Sequence, residues 1–301
     1  TDLGQLEIGR WARPALLALD PRPSMVVDAL ASAPDGTARY VTRARDGALV
    51  ETVVIPGPAR TTVCISSQVG CARACSFCET GAGGLGRQLE AGEMVDQVRL
   101  VRDRLASHHP GSPPLSNVVF MGMGEPLDNL AEVARATAQL TEPRTFALAP
   151  SRITVSTVGV ADKIAAFFAS CRADLAVSLN APDDARRSAI MPINQRFPMA
   201  ALHAALADAL PRGRKILLEY VLIAGFNDAP ADADLVAAYV RGLPARVNVI
   251  PLNPGPDPAL AAPAPHVVDA FVARLAELGV VTLARRPRGR IIGGAGGQPA
   301  G

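Results

Sequence analysis

The sequence predicts an α/β protein whose main body is a partial (β/α)6 barrel, preceded by a small N-terminal accessory module. Three observations carry that expectation. From about residue 60 onward, short β-rich runs alternate with helical stretches, the pattern of a parallel sheet with covering helices. The first 58 residues lack this alternation. Apolar residues make up 49% of the 301-residue chain, enough to bury a sizeable core.

The strand candidates of the barrel are Thr61–Ser66, Asn117–Met121, Arg152–Ser156, Asp174–Ser178, Lys215–Val221 and Val247–Pro251. Between them Met94, Val98, Val101 and Leu105 recur at helical spacing, as do Phe271, Leu275 and Leu278. In such a barrel the site lies at the C-terminal ends of the strands. Before it, Tyr40–Arg43 and Leu49–Ile55 read as two strands joined by Asp46-Gly47, a hairpin signal. Pro21 and Pro23 break the region ahead of them, and Pro56-Gly57-Pro58 reads as a linker. The predicted organisation is an accessory module over 1–58, a barrel over 59–292 and a glycine-rich, mobile tail over 293–301.

Charge excludes little. The net charge is +2 with 19% charged residues, and Lys163 and Lys215 are the only lysines. No run of 18 apolar residues is free of charge; the most apolar stretch, 158–179, holds Asp162, Lys163, Arg172 and Asp174. No membrane partner is expected. No basic segment followed by an apolar run opens the chain, so no signal peptide is predicted, although it begins at Thr1 without a methionine. Four of five cysteines fall between residues 64 and 78. That clustering, with an odd total, predicts a chemical site in a reducing, cytoplasmic setting rather than a disulfide framework. Lone Cys171 reads as a buried apolar cysteine.

Cys71, Cys75 and Cys78 are the central signal. Thiolates hold iron–sulfur clusters, and this spacing lets one loop wrap three corners of a [4Fe–4S] cubane. The fourth iron then stays open to the amino and carboxylate groups of S-adenosyl-L-methionine (SAM). One electron passed to the sulfonium yields a 5′-deoxyadenosyl radical, which calls for a small electron donor such as flavodoxin or ferredoxin. Structural zinc would want a fourth Cys or His, and a ferredoxin four cysteines.

The run Cys64-Ile65-Ser66-Ser67-Gln68-Val69-Gly70-Cys71 through Cys78 resembles the RlmN/Cfr-type radical SAM methyl synthases, which act on adenines in RNA. The likeness continues through Phe120–Pro126, Ile153–Val160, Leu175–Pro182, Met191–Asn194, Leu218–Val221 and Val247–Pro254, covering roughly residues 50 to 298. It implies that the barrel is of the radical SAM type, and that Gly124 and Glu125 bind the aminoacyl end of SAM. Ser156, Ser178 and Asn180 would meet its carboxylate or ribose, although the family usually has His at the position of Asn180. Asn253 would meet the adenine edge or a nearby polar atom. Cys64 matches the cysteine that releases a covalent protein–RNA adduct. Glu51 also matches the family; it reads as a surface strand carboxylate, with proton transfer as the alternative.

One departure stands out. The family carries its methyl group on a second cysteine near the C-terminus, and Gly296 occupies that position here. No cysteine follows Cys171, so methyl carriage cannot pass through residue 296. The basic tail usual in the family is also absent. Arg285, Arg286, Arg288 and Arg290 form a basic cluster that reads equally as an RNA contact or a solvated loop. The first expectation is therefore a radical SAM enzyme acting on a nucleoside-like or other small molecule without the methyl-cysteine relay. The alternatives are an RNA adenine C2- or C8-methyltransferase and a non-catalytic RNA-binding paralogue.

Overall fold

The computed structural model describes residues 23–298 apart from 254, 256, 286 and 287. Pro21, Pro254, Arg286, the first 22 residues of the expected accessory module and the tail beyond 298 lie outside the described residues.

Ten strands form a single sheet. β1 (Met25–Ser32), β2 (Ala38–Ala44), β3 (Leu49–Pro56) and β4 (Thr61–Ile65) pair antiparallel in chain order. From β4 the sheet continues in parallel through β7 (Leu115–Phe120), β8 (Ile153–Thr157), β9 (Asp174–Ser178), β10 (Ile216–Leu222), β11 (Ala245–Pro251) and β12 (Thr282–Ala284). A short hairpin of β5 (Gln68–Gly70) and β6 (Leu85–Gln88) stands apart from it. Each parallel crossover carries a helix: 91–108, 130–141, 164–170, 199–209, 230–240 and 265–277. This is the predicted partial barrel, since parallel strands need such crossovers.

The boundary expected at residue 58 needs correction. Pro56-Gly57-Pro58 is no linker between bodies; it lies in the turn of the β3–β4 hairpin, where the Gly57 amide donates to the Arg60 carbonyl at 2.9 Å. One apolar core runs from Met25 and Tyr40 to Phe271 and Leu275. The Asp46-Gly47 signal holds: Gly47 takes φ 88° between β2 and β3, and Asp46 accepts from the Ala48 amide.

Strand alternation then sorts the side chains. Val63, Ile65, Val118, Phe120, Val155 and Val177 join the apolar core. Their neighbours Cys64, Ser156 and Ser178, and Glu219 between core residues Leu218 and Tyr220, take the opposite face, toward the barrel interior. One buried cation is fully compensated. Arg187 is fully buried, and its guanidinium donates to the carbonyls of Val158, Ser178 and Leu179 and to Asn194 Oδ1. It thereby ties together the chain beyond the C-terminal ends of β8 and β9.

A candidate active site at the barrel mouth

The cysteine loop leaves β5 and is pinned where it turns. The Cys71 amide donates to the Gly84 carbonyl at 2.7 Å, and the Ser76 amide to the Ile190 carbonyl at 3.1 Å. Ala74 takes φ 50°, and Arg73 pairs with Asp128 from the segment after β7. A Cβ on Gly81 would come within 3.1 Å of the Cys75 amide nitrogen, so the chain after Cys78 passes close under the loop.

All three cysteines face one cavity of about 230 Å³. The same cavity is lined by Gly124, Glu125, Ser156, Ser178, Asn180, Asn253 and Gly296, residues drawn from successive strand ends. Burial pushes the Cys71 thiol up to about 11, and Cys75 further in the same direction. Among the described residues no three His, Cys, Asp or Glu side chains could hold a single metal ion. A cubane makes a different demand, one thiolate for each of three irons, and the donor set of three thiols on one loop fits it.

Glu125 is buried and already engaged. Its two carboxylate oxygens accept from the Leu127 amide at 2.9 Å and the Val158 amide at 2.8 Å, which links the segments after β7 and β8. Burial raises its acid to about 7 against these bonds. Spare lone pairs remain for a ligand cation. Gly124 has φ 103°, and a Cβ there would lie 2.6 Å from the Gln68 side chain; the position admits glycine only. The hydroxyls of Ser156 and Ser178 have no hydrogen-bond partner among the described residues and remain open to a ligand.

The two asparagines differ from the expectation of simple ligand contacts. Asn180, in the left-handed region at φ 58°, accepts from the Val221 amide at 3.0 Å and sends its amide to Met191 Sδ. Asn253 donates to the Gly296 carbonyl at 3.0 Å and accepts from Arg290 Nε at 2.8 Å. Each is a cavity wall whose side chain holds backbone in place. The glycine-rich segment is likewise no free tail over its described part: the Gly297 carbonyl accepts from the Glu79 amide at 2.9 Å, immediately after Cys78. Gly296 lines the cavity, and a Cβ added to it would meet nothing within 4 Å.

Cys64 does not line the cavity itself. It sits on the inner face of β4, where burial raises its thiol to about 11, Arg285 lowers it and Glu219 raises it. Cys171 ends the helix before β9, buried against the Thr137 hydroxyl at 3.3 Å and outside the cavity lining. Glu51 is no surface carboxylate: it is buried and paired with Arg39 at 2.8 Å. Of the basic cluster, Arg285 and Arg288 line the cavity. Glu219 lines it too and was not singled out from sequence; its signal was the one charged residue in the apolar run Leu217-Leu218-Glu219-Tyr220-Val221.

The Radical SAM superfamily model matches residues 65–236. The chain is 67% identical over 299 residues to "Probable RNA methyltransferase sce1580" of Sorangium cellulosum, covering 99% of this chain and 75% of that protein. It is 45% identical to the "Dual-specificity RNA methyltransferase RlmN" of Anaeromyxobacter dehalogenans, covering 88% of this chain and 72% of the other. Among solved structures, a radical SAM methyltransferase from Sphaerobacter thermophilus superposes with a TM-score of 0.90 at 39% identity, over 97% of this chain and 86% of that one. The family uses a [4Fe–4S] cluster and SAM, in keeping with three thiols set beside a polar cavity. With its cysteine loop, its strand-end motifs and these relatives, the chain belongs to the RlmN family of the radical SAM superfamily.

Proposed function

We propose that this enzyme acts on RNA, methylating an adenine by radical SAM chemistry. The observation that carries the reading is the 67% identity, across 99% of the chain, to a protein named as an RNA methyltransferase. Relatives named RlmN support it as well. They favour this alternative over the small-molecule substrate expected first.

In this reading Cys71, Cys75 and Cys78 would hold the cluster, and SAM would bind beside it. When bound, the pair would supply a carbon-centred radical, one electron from a small donor such as flavodoxin or ferredoxin breaking a C–S bond of SAM and releasing methionine. Gly124 lets the backbone approach SAM, and Glu125 accepts from its ammonium in a charge-assisted bond. The open hydroxyls of Ser156 and Ser178 take its carboxylate or ribose. Asn180 and Asn253 shape the walls and offer their remaining polar capacity. Cys64, on the inner face beside the cavity, stands where the family has its releasing cysteine and would serve that role only if another thiol carries the methyl group; burial favours its thiol form.

Gly296 favours a second reading, in which the radical acts on the RNA base without a methyl-carrying cysteine. Anaerobic incubation of reduced protein with methyl-labelled SAM and RNA separates the two. Label on adenine supports methyl transfer. Deoxyadenosine formed with RNA but without labelled adenine selects the second reading, and no deoxyadenosine at all sinks both.

A further inference from the structure

Glu219 is a buried carboxylate to which the reading above gives no task. It sits within β10, in register with Ser178 of β9 and Asn248 of β11, on the strand face turned to the cavity. Only 8% of the residue is exposed. Its contacts are long: Oε1 lies 3.5 Å from Asn248 Nδ2 and 3.9 Å from Arg285 Nη1. No hydrogen bond reaches Oε2 among the described residues. A carboxylate so placed and so poorly met is costly. Burial raises its acid, with Arg285 and Asn248 opposing, and a donor delivered to Oε2 would stabilise the charged form further.

Arg285 lines the same cavity with its side chain 42% exposed, and among the described residues its guanidinium makes no hydrogen bond. The wall therefore offers an acceptor beside a donor. The complement is a flat edge with a donor beside an acceptor, as in an exocyclic amine next to a ring nitrogen; adenine presents N6–H beside N1 and beside N7. Enzymes acting on a base commonly take it out of its stack and read such an edge between apolar side chains, and Phe77 and Val221 stand in this cavity wall. The charges of both Glu219 and Arg285 act on the Cys64 thiol, so a base gripped here would lie near the residue assigned to product release.

We propose that Glu219 and Arg285 form the subsite that reads the amino edge of the substrate adenine. The inference rests on RNA being the substrate. SAM carries the same edge, so the test must tell the two sources apart. Cluster-loaded protein saturated with SAM, without reductant, is titrated with a short RNA containing a single adenine and with the same RNA bearing purine there, which lacks the amino group. The unmodified protein should prefer adenine roughly tenfold. Glu219→Ala should abolish that preference. Glu219→Gln, which keeps an acceptor oxygen and the side-chain volume, should retain part of it, and SAM affinity should stay constant in both.

A preference that survives Glu219→Ala overturns the subsite. So does a loss of SAM affinity with the RNA preference intact, which would give the edge to SAM. Equal binding of the two RNAs by the unmodified protein rejects the subsite while leaving RNA as the substrate. Binding of neither RNA rejects the RNA reading itself, and the subsite with it.

Discussion

At the scale of single residues, the thiols and Glu125 make distinct demands. Replacing any one of Cys71, Cys75 or Cys78 with Ala should abolish cluster assembly, read as loss of bound iron and of the broad visible absorption. A stoichiometric zinc ion surviving all three replacements would contradict that assignment. Glu125→Ala should leave the cluster assembled but weaken SAM binding by about 1.5–3 kcal/mol, the worth of a charge-assisted hydrogen bond; unchanged affinity in anaerobic calorimetry would leave Glu125 only its link between Leu127 and Val158. Its raised acid also has a pH signature. Between 4.5 and about 7 the folded carboxyl holds a proton that the unfolded one releases, so its contribution to stability falls as pH rises through that window and levels above it. Urea unfolding of cluster-free protein across the window should show this slope, and Glu125→Gln should remove it.

At the scale of elements, the six barrel strands and the β2–β3 hairpin were legible because period-2 apolar runs and Asp46-Gly47 are local signals. β1 was not, since Asp28 interrupts an edge strand with a register shift between Val27 and Ala29. β12 has three residues, too few for any periodicity. In the site, the cysteine loop and Gly124 were legible from spacing and type. The duties of Asn180 and Asn253 were not, because their partners at Val221 and Gly296 lie 41 and 43 residues away. The described part of the glycine-rich segment gave a false signal of mobility, since its bonds to Asn253 and Glu79 are set only by the closed barrel mouth. Within that segment Gly296→Cys should be accepted with little change in stability. Tryptic mass spectrometry after incubation with methyl-labelled SAM should then find the label on residue 296 and none on the unmodified protein. Label on Cys64 or Cys171 of the unmodified chain would show another thiol serving as carrier.

At the scale of the whole molecule, the continuous sheet couples the chain's two halves. Thr52 and Ser66 both bond Gln97 of the helix 91–108, while the Ser66 hydroxyl donates to the Glu51 carbonyl and accepts from the Met123 amide. The antiparallel strands thus support the loop that holds Gly124 and Glu125. Unfolding followed by Trp-independent probes, far-ultraviolet dichroism and amide exchange, should show β1–β3 and the barrel melting in one transition. An earlier, separate loss of the first strands would restore the boundary at residue 58.

The open space at Gly296 has a genetic side. Glycine and cysteine codons can differ by a single base, and the backbone at this position is outside the left-handed region while the added Cβ touches nothing. Neither the backbone conformation nor contact at the Cβ stands between the two residues. A lineage can therefore gain or lose a thiol here in one mutational step without first rebuilding the cavity, so selection on the reaction alone decides which residue is kept.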